Sequence, residues 1–403
     1  MIISVYGIPR SGKDTFIKKI LANNAAAYHL QGSKTLNELA AEQFGCKFRQ
    51  LSARQQNGIR ILFTRRAKEL NERYDLVIVD GHYAFPRDDG YQSVFTDADL
   101  NLYDVFFYLK RNGAEIARNF NSDDKRDYAE HLLSADKVEE WINFEIDNMQ
   151  PTVEAQGKDF VVLDSDDAAV EFVCQFAKTS EQIAQEIADE ISAMAKGKNI
   201  VLTDLDKTVS INDLTDDFMR CANIAPDFAK TVFKGDYYTR YQFQTFHEKL
   251  ASAPNYDEAV RYALDKLALN ENLVRDLTSM KANGCVVALT TGMKDAWTAR
   301  NEDLQLFDAI FGYGRLERLV VTPLIKRLVA KYLAKNSKVV AVGDSVIDLG
   351  MLTEADKGYL IAMNKLDKRI IAQYGKGNIS KTLLQPKYST FKYDFTKEDD
   401  LAW

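Results

Sequence analysis

Along the first half of the chain, short apolar runs alternate with longer stretches whose apolar positions recur at helical spacing. The runs IISVYG, DLVIVDG, DVFFYL and DFVVLD are nearly continuous, the pattern of strands buried on both faces of a parallel sheet. Leu51 to Tyr74 and Val138 to Met149 predict amphipathic helices between them, and Ala168 to Ala195 predicts a long helix closing the half. A polar joint, KGKN, then leads into the run NIVLTD, and the same style resumes with GCVVALTTG and KVVAVGD. The pattern predicts an α/β protein of two domains, 1–197 and 198–403, each a parallel sheet flanked by helices. About 80 residues, mostly helical in pattern, separate the first and second strands of the second half and predict a cap over about 212–280.

A chain of 403 residues suits two cores better than one. No apolar run approaches the roughly 20 residues of a membrane helix, and the N-terminus enters a strand directly without the pattern of a signal peptide. Cys46, Cys174, Cys221 and Cys285 lie far apart with no paired spacing, which argues against disulfides or a zinc site. Together these features predict a cytoplasmic enzyme. Residues 1–197 hold 23 Lys+Arg against 32 Asp+Glu, and the remainder 29 against 27, so neither half carries the basic excess typical of a polynucleotide-binding surface.

The first strand runs into GIPRSGKDT, with Gly7, four residues, then Gly12-Lys13 at the start of a helical pattern. Backbone N–H groups of such a loop and the helix N-terminus behind it surround phosphate oxygens, and glycines let the backbone approach. This resembles the Walker A loop. Gly7, Arg10, Ser11, Gly12, Lys13, Asp14 and Thr15 are therefore the candidate nucleotide-binding residues, with ATP as the expected ligand. Asp14 departs from the pattern, standing where Ser or Thr usually meets magnesium. Asp80 ends another apolar strand and is a candidate to assist the metal or orient an acceptor. Arg118 and Arg126, with Arg111, follow DVFFYL where nucleotide kinases carry a lid. The half resembles a P-loop kinase of the nucleoside-monophosphate-kinase type.

In the second half, VLTDLDKTVS supplies Asp204 and Asp206 at a strand end, and GDSVIDLGML supplies Asp344 and Asp348 at another. Four carboxylates around one point are too costly to bury unpaired, and oxygen ligands favour magnesium. The ordered motifs DLDKT, ALTTG, TPLIKRL and GDSVID, over about residues 199 to 385, resemble the haloacid dehalogenase superfamily of aspartyl-phosphate phosphatases. The resemblance implies a Rossmann-like sheet with Asp204 as nucleophile and Asp206 as acid and then base. It makes Thr291 a phosphate donor, ahead of Thr290, and Lys326 a charge-compensating group. Asp204, Asp206, Asp344 and Asp348 become the metal site. Phosphoserine phosphatase is the subgroup of closest resemblance, and it implies that Asp213 reads the substrate's amine, with Gly292 also against the substrate. Helix capping is the competing role for Asp213. On the cap, Arg240, Tyr237 and Tyr241 share a helical stretch whose spacing fits core packing as well as a pocket.

These readings converge on a magnesium-dependent phosphatase of small phosphorylated metabolites joined to an ATP-dependent kinase. Two alternatives stay open: polynucleotide end repair, which uses the same domain order, and a P-loop domain that senses nucleotide and transfers nothing. The tail FKYDFTKEDDLAW suggests no role.

Overall fold

The computed structural model describes residues 1–121, 134–164, 166–233, 238–362, 367–375, 381–384, 401 and 403. Arg126, Tyr237 and most of the tail lie outside the described residues. The chain divides into two compact units, Met1–Thr179 and Ser180–Trp403. No helix among the described residues is long and apolar enough to cross a membrane.

In the first unit, β1 (Ile2–Tyr6), β2 (Ala27–Leu30), β3 (Leu76–Asp80), β6 (Val105–Leu109) and β7 (Asp159–Leu163) form a parallel sheet in the order β2-β3-β1-β6-β7. The hairpin β4 (Ala84–Arg87) and β5 (Gly90–Ser93) stands apart from it. All five residues of β1 and of β6 are buried, which is why their sequence is continuously apolar. Register pairs Val5 with Asp80, bringing the carboxyl end of β3 beside the loop that leaves β1. Helix Ala53–Asn71 falls within the expected stretch Leu51 to Tyr74, and helix Ala135–Ala155 covers Val138 to Met149 and extends beyond it.

The second unit holds a six-stranded parallel sheet. It comprises β8 (Asn199–Thr203), β9 (Gly284–Leu289), β10 (Ala309–Phe311), β11 (Val339–Gly343), β12 (Lys357–Ala362) and β13 (Lys381–Leu384), in the order β10-β9-β8-β11-β12-β13. β8 lies between β9 and β11; the chain runs outward from β8 through β9 to β10 and then crosses back to β11, so a crevice opens at the carboxyl ends of the central strands where the order reverses.

Two expected boundaries move. The stretch 168–195 is two helices, Asp167–Gln175 and Ser180–Ala195, and the second belongs with the second unit. Its stripe of Ile183, Ile187 and Ile191 shares a buried cluster with Ile200, Leu328 and Val329. Gly197, with φ of 82°, therefore turns a helix into β8 inside one unit and joins no domains. The cap also ends earlier than 280. Its two ends meet in a stem, a Ser210–Leu269 bridge in which Ile211 N–H donates to Ala268 O at 2.7 Å and Asn270 N–H to Val209 O at 2.9 Å. Helices Leu214–Cys221, Phe228–Val232, Arg240–Ala251 and Tyr256–Lys266 lie within the insertion. Glu271–Lys281 lies beyond the stem and buries Leu277 and Met280 beside Val286.

The last described residues have a place here. Leu401 is buried in the same cluster and its N–H donates to Asp276 Oδ2 at 3.0 Å, while the Trp403 ring lies against Gly284 at the start of β9.

Candidate functional site

Asp204 is the first residue beyond β8, its N–H still bonded to Val342 O of β11 at 2.9 Å. Asp344 stands just past β11, and Asp348 precedes helix Leu349–Glu354. Gly343 permits this turn, because a Cβ there would collide with Asp348. Carboxylate oxygens of Asp204, Asp344 and Asp348 lie within 4.8 Å of one another, all three residues buried. Thr322 caps helix Pro323–Leu333, accepting from Ile325 N–H at 3.2 Å, and the helix's first turn sends Lys326 into the same place. Lys326 is fully buried, with Nζ 2.6 Å from Asp204 Oδ1 and 2.7 Å from Asp348 Oδ1.

Burial shapes the charges. It raises Asp204 to about 6, against the pull of Lys326, and raises Asp344 well above the ordinary carboxylate range, with Asp348 and Asp204 adding to the effect. Burial alone would lower Lys326, but the Asp204 and Asp348 carboxylates together reverse that and keep it an ammonium. If all three carboxylates act as ligands they must be ionised, and one ammonium then leaves two negative charges unbalanced. An all-oxygen donor set with that deficit fits one hard divalent cation.

Asp206 does not join this cluster. The chain leaves the sheet at Asp204, so strand alternation no longer aligns the two side chains, and Asp206 turns away from the other three. Its Oδ1 accepts from Trp297 Nε1–H at 2.9 Å and its Oδ2 from the Thr215 hydroxyl at 3.1 Å. Burial, with the nearby charge of Asp213, pushes its pKa up to about 8, so it is largely protonated at neutral pH. Gly292 is required beside it: a Cβ there would lie 2.6 Å from Asp206 Oδ2. Thr290, the first residue beyond β9, is almost fully buried and accepts from Gly292 N–H at 2.9 Å, while Thr291 is half-buried. Both line the same cavity as Asp204, Asp206 and Asp344.

Asp213 is occupied. Its Oδ1 caps helix Leu214–Cys221 by accepting from Thr215 N–H (3.0 Å) and Asp216 N–H (3.2 Å), and its Oδ2 takes Lys207 Nζ at 2.7 Å. That is the capping role, and neither oxygen is left without a donor.

In the first unit, the loop after β1 adopts the backbone its glycines permit. Gly12 (φ 86°) and Arg10 (φ 65°) are left-handed, and a Cβ at Gly7 would press on Leu109 O and Ser11 Oγ at 3.0 Å. Lys13 Nζ folds onto the loop, donating to Gly7 O at 2.5 Å and Ile8 O at 3.1 Å. Burial lowers its pKa to about 8, opposed by Glu145, Asp80 and Asp14. The Ser11 hydroxyl is buried and unpartnered, whereas Arg10, Asp14 and Thr15 are exposed. Asp80 accepts from His29 Nε2 at 2.9 Å and Gly32 N–H at 3.1 Å. Burial would raise it, but these donors hold it below the ordinary value. Arg111 packs its guanidinium over Gly12, and Arg118 is exposed on helix Gly113–Asn121.

Sequence patterns pointed to neither Trp297, which holds Asp206, nor His29 and Glu145. His29 sits in a half-buried edge strand. Glu145 is fully buried on helix Ala135–Ala155, accepting from Ala84 N–H at 2.9 Å and the Tyr108 hydroxyl at 2.8 Å. A glutamate on a helical pattern gives no sign that it faces inward.

Residues 158–356 match the family model of haloacid dehalogenase-like hydrolases. This region is a haloacid dehalogenase-like hydrolase. Residues 6–134 match the model of an AAA domain, so the hydrolase is preceded by a P-loop, kinase-like domain, and both belong to families of enzymes. No curated protein matches the chain. Among solved structures, a substrate-bound phosphoserine phosphatase is 20% identical with a TM-score of 0.33, over 44% of this chain and 98% of that one. A shikimate kinase from Bacteroides thetaiotaomicron is 18% identical with a TM-score of 0.28, over 47% and 98%. A chain of the Pnkp1/Rnl/Hen1 RNA repair complex is 14% identical with a TM-score of 0.27, over 87% and 91%. Scores this low distinguish no substrate for the hydrolase.

Proposed function

We propose that the haloacid dehalogenase-like hydrolase is a magnesium-dependent phosphomonoesterase acting on a small phosphorylated molecule through an aspartyl-phosphate on Asp204. The observation that carries this reading is the buried cluster of Asp204, Asp344 and Asp348 on one buried lysine, Lys326. These three carboxylates would hold the magnesium ion, which when bound supplies positive charge to phosphate oxygens.

An Asp204 carboxylate oxygen attacks phosphorus and the ester oxygen departs. Protonated Asp206 gives its proton to that leaving oxygen, so the alcohol leaves neutral. Asp206, now ionised, takes a proton from water, which attacks the aspartyl-phosphate. Phosphate leaves and Asp204 is restored. Lys326 and the Thr291 hydroxyl compensate the charge of the transferring group, and Trp297 and Thr215 hold Asp206 in line. The Asp206 side chain is given no metal in this reading.

The first unit is proposed to bind ATP on Gly7, Arg10, Ser11, Gly12, Lys13, Asp14 and Thr15, with the unpartnered Ser11 hydroxyl and the helix N-terminus behind it available to phosphate oxygens. Asp80 is the proposed acceptor-orienting group, with Arg118 and Arg126 as closing cations. Lys13→Met is expected to weaken ATP binding by at least about tenfold, measured with a fluorescent nucleotide on the full chain, because it removes the loop's one buried ammonium. Unchanged affinity would remove Lys13 from the phosphate site.

Phosphate release from acetyl phosphate and from an alkyl phosphate, each with and without magnesium, tests the phosphatase reading. A pH profile sharpens it. Asp206 carries its proton below about 8 and loses it above. Alkyl phosphate kcat/KM should therefore fall about tenfold per pH unit above that point, while acetyl phosphate, whose leaving group needs no proton, should not follow. Parallel profiles for the two substrates would remove Asp206 as the acid.

A further inference from the structure

The hydrolase cavity, of about 400 Å³, has a polar floor and an apolar wall. The floor holds Asp204, Asp206, Thr290, Thr291 and Asp344. The wall comes from the cap: Met219 on helix Leu214–Cys221, Phe233 after helix Phe228–Val232, Tyr238 ahead of helix Arg240–Ala251, and Phe243 and Phe246 on that helix. The rings brace one another. Phe233 lies 4.9 Å from Phe243 and 5.3 Å from Phe246 between centroids, and meets Tyr238 edge-on at 84°. Phe243 and Phe246 are buried, but Phe233 and Tyr238 are only half-buried, leaving aromatic surface at the cavity.

The wall offers little to a charged substrate tail. Both Asp213 oxygens are already bonded to backbone N–H groups and Lys207, which leaves exposed Asp216 as the other lining carboxylate on the cap side. Among the described lining residues there is no arginine, and Lys230 is exposed. Lys207 is paired with Asp213, and Lys230 is matched in charge by Asp216, so this side carries no basic excess to draw a second phosphate or a polynucleotide backbone. The volume holds one phosphoryl group and one modest organic body.

We propose that this cavity selects phosphomonoesters whose organic part is a flat, uncharged ring system, with Phe233 and Tyr238 as the specificity-determining residues. The proposal rests on the phosphatase reading and goes beyond it. A ring seated on half-exposed aromatic faces removes apolar surface of both from water, whereas a zwitterionic amino-acid tail on the same faces would give up hydration that the rings do not replace. The shared chemistry is the ring, carried by an aryl-alkyl group or by a nucleoside.

The test uses the full chain with magnesium and no ATP, and compares kcat/KM for 2-phenylethyl phosphate, adenosine 5′-monophosphate, O-phospho-L-serine and glycerol 3-phosphate. All four are alkyl esters, so leaving-group reactivity differs little and the organic part decides. Acetyl phosphate, too small to reach the wall, reports the phosphatase chemistry by itself. At least one ring substrate is expected to exceed phosphoserine and glycerol phosphate by about tenfold or more, and which one does so separates aryl from nucleoside. Phe233→Ala is expected to lower the ratio of ring substrate to acetyl phosphate about tenfold, chiefly through KM. Tyr238→Ala gives the same readout should the first variant fold poorly. Turnover of acetyl phosphate with phosphoserine or glycerol phosphate equal to the ring substrates overturns the proposal and leaves the phosphatase standing. No turnover of any ester or of acetyl phosphate overturns both.

Discussion

Asp204→Asn is expected to reduce magnesium-dependent phosphate release by about 10³-fold or more, for acetyl phosphate and alkyl phosphates alike. An amide keeps the shape of the carboxyl group but lacks the anionic oxygen that attacks phosphorus. Its carbonyl can still accept from Lys326 Nζ, so the lysine is not orphaned and Asp348 continues to pair with it at 2.7 Å. The variant also removes one of three clustered buried carboxylates, so without metal it should unfold no more easily than the wild type. Loss of activity with retained stability separates a nucleophile from a structural group. The wild-type protein should also trap radiolabelled phosphate in a denaturation-stable adduct that Asp204→Asn cannot form. Residual activity within tenfold of wild type, or a trapped adduct on the variant, would put the nucleophile elsewhere.

The parts of this molecule that were legible share one physical cause. Strands β1, β3, β6, β7, β8, β9 and β11 are buried on both faces or nearly so, and a continuous apolar run announces that directly. The same runs locate the strand ends, which is why the sequence alone places Asp80, Asp204 and Asp344 at the carboxyl edge of a sheet. Strand β2, AYHL, is largely half-buried and carries a histidine, and β10 has three residues. Neither has enough pattern to stand out, and His29 beside Asp80 is invisible until β2 pairs with β3. The domain boundary fails for a related reason: a glycine after a helix reads the same whether it ends a domain or turns a helix into the next strand. Only the partner of the Ile183–Ile191 stripe decides, and that partner lies far along the chain.

Site residues followed the same division. Asp204, Asp344, Asp348 and Lys326 meet because two neighbouring strands and one helix start deliver them to one point, and strand ends and helix starts leave sequence marks. Asp206 depends on where the chain departs from the strand, and Trp297 on which way a helix faces. Those are tertiary facts. The substrate wall is more tertiary still, since Phe233 and Tyr238 belong to no single element and no spacing rule joins them.

Lys326→Met carries the second large effect, on stability as well as chemistry. Lys326 is fully buried, and its ammonium is the one cation bonded to both Asp204 and Asp348 among the described residues. Methionine fills similar volume but leaves these carboxylates with no counter-charge. Removing one partner of a buried ion pair typically costs about 3–5 kcal/mol, because the remaining charge is stranded. At pH 8 without divalent cation, calorimetry should show the hydrolase unit melting roughly 10 °C lower than wild type. Magnesium should restore part of the loss, since it supplies the charge the lysine no longer does. The sign with pH follows from Asp204, which is raised to about 6 by burial even beside Lys326. A carboxyl raised by burial costs nothing below its unfolded pKa of about 4; the cost builds as pH rises toward the folded pKa and is full above it. Without the ammonium Asp204 is raised further than in the wild type, so the gap between variant and wild type should be widest at high pH, narrow as pH falls toward 6 and close below it. A variant as stable as wild type at pH 8 without metal would mean that the two aspartates are not held ionised. The charge deficit from which the magnesium assignment is drawn would then not exist.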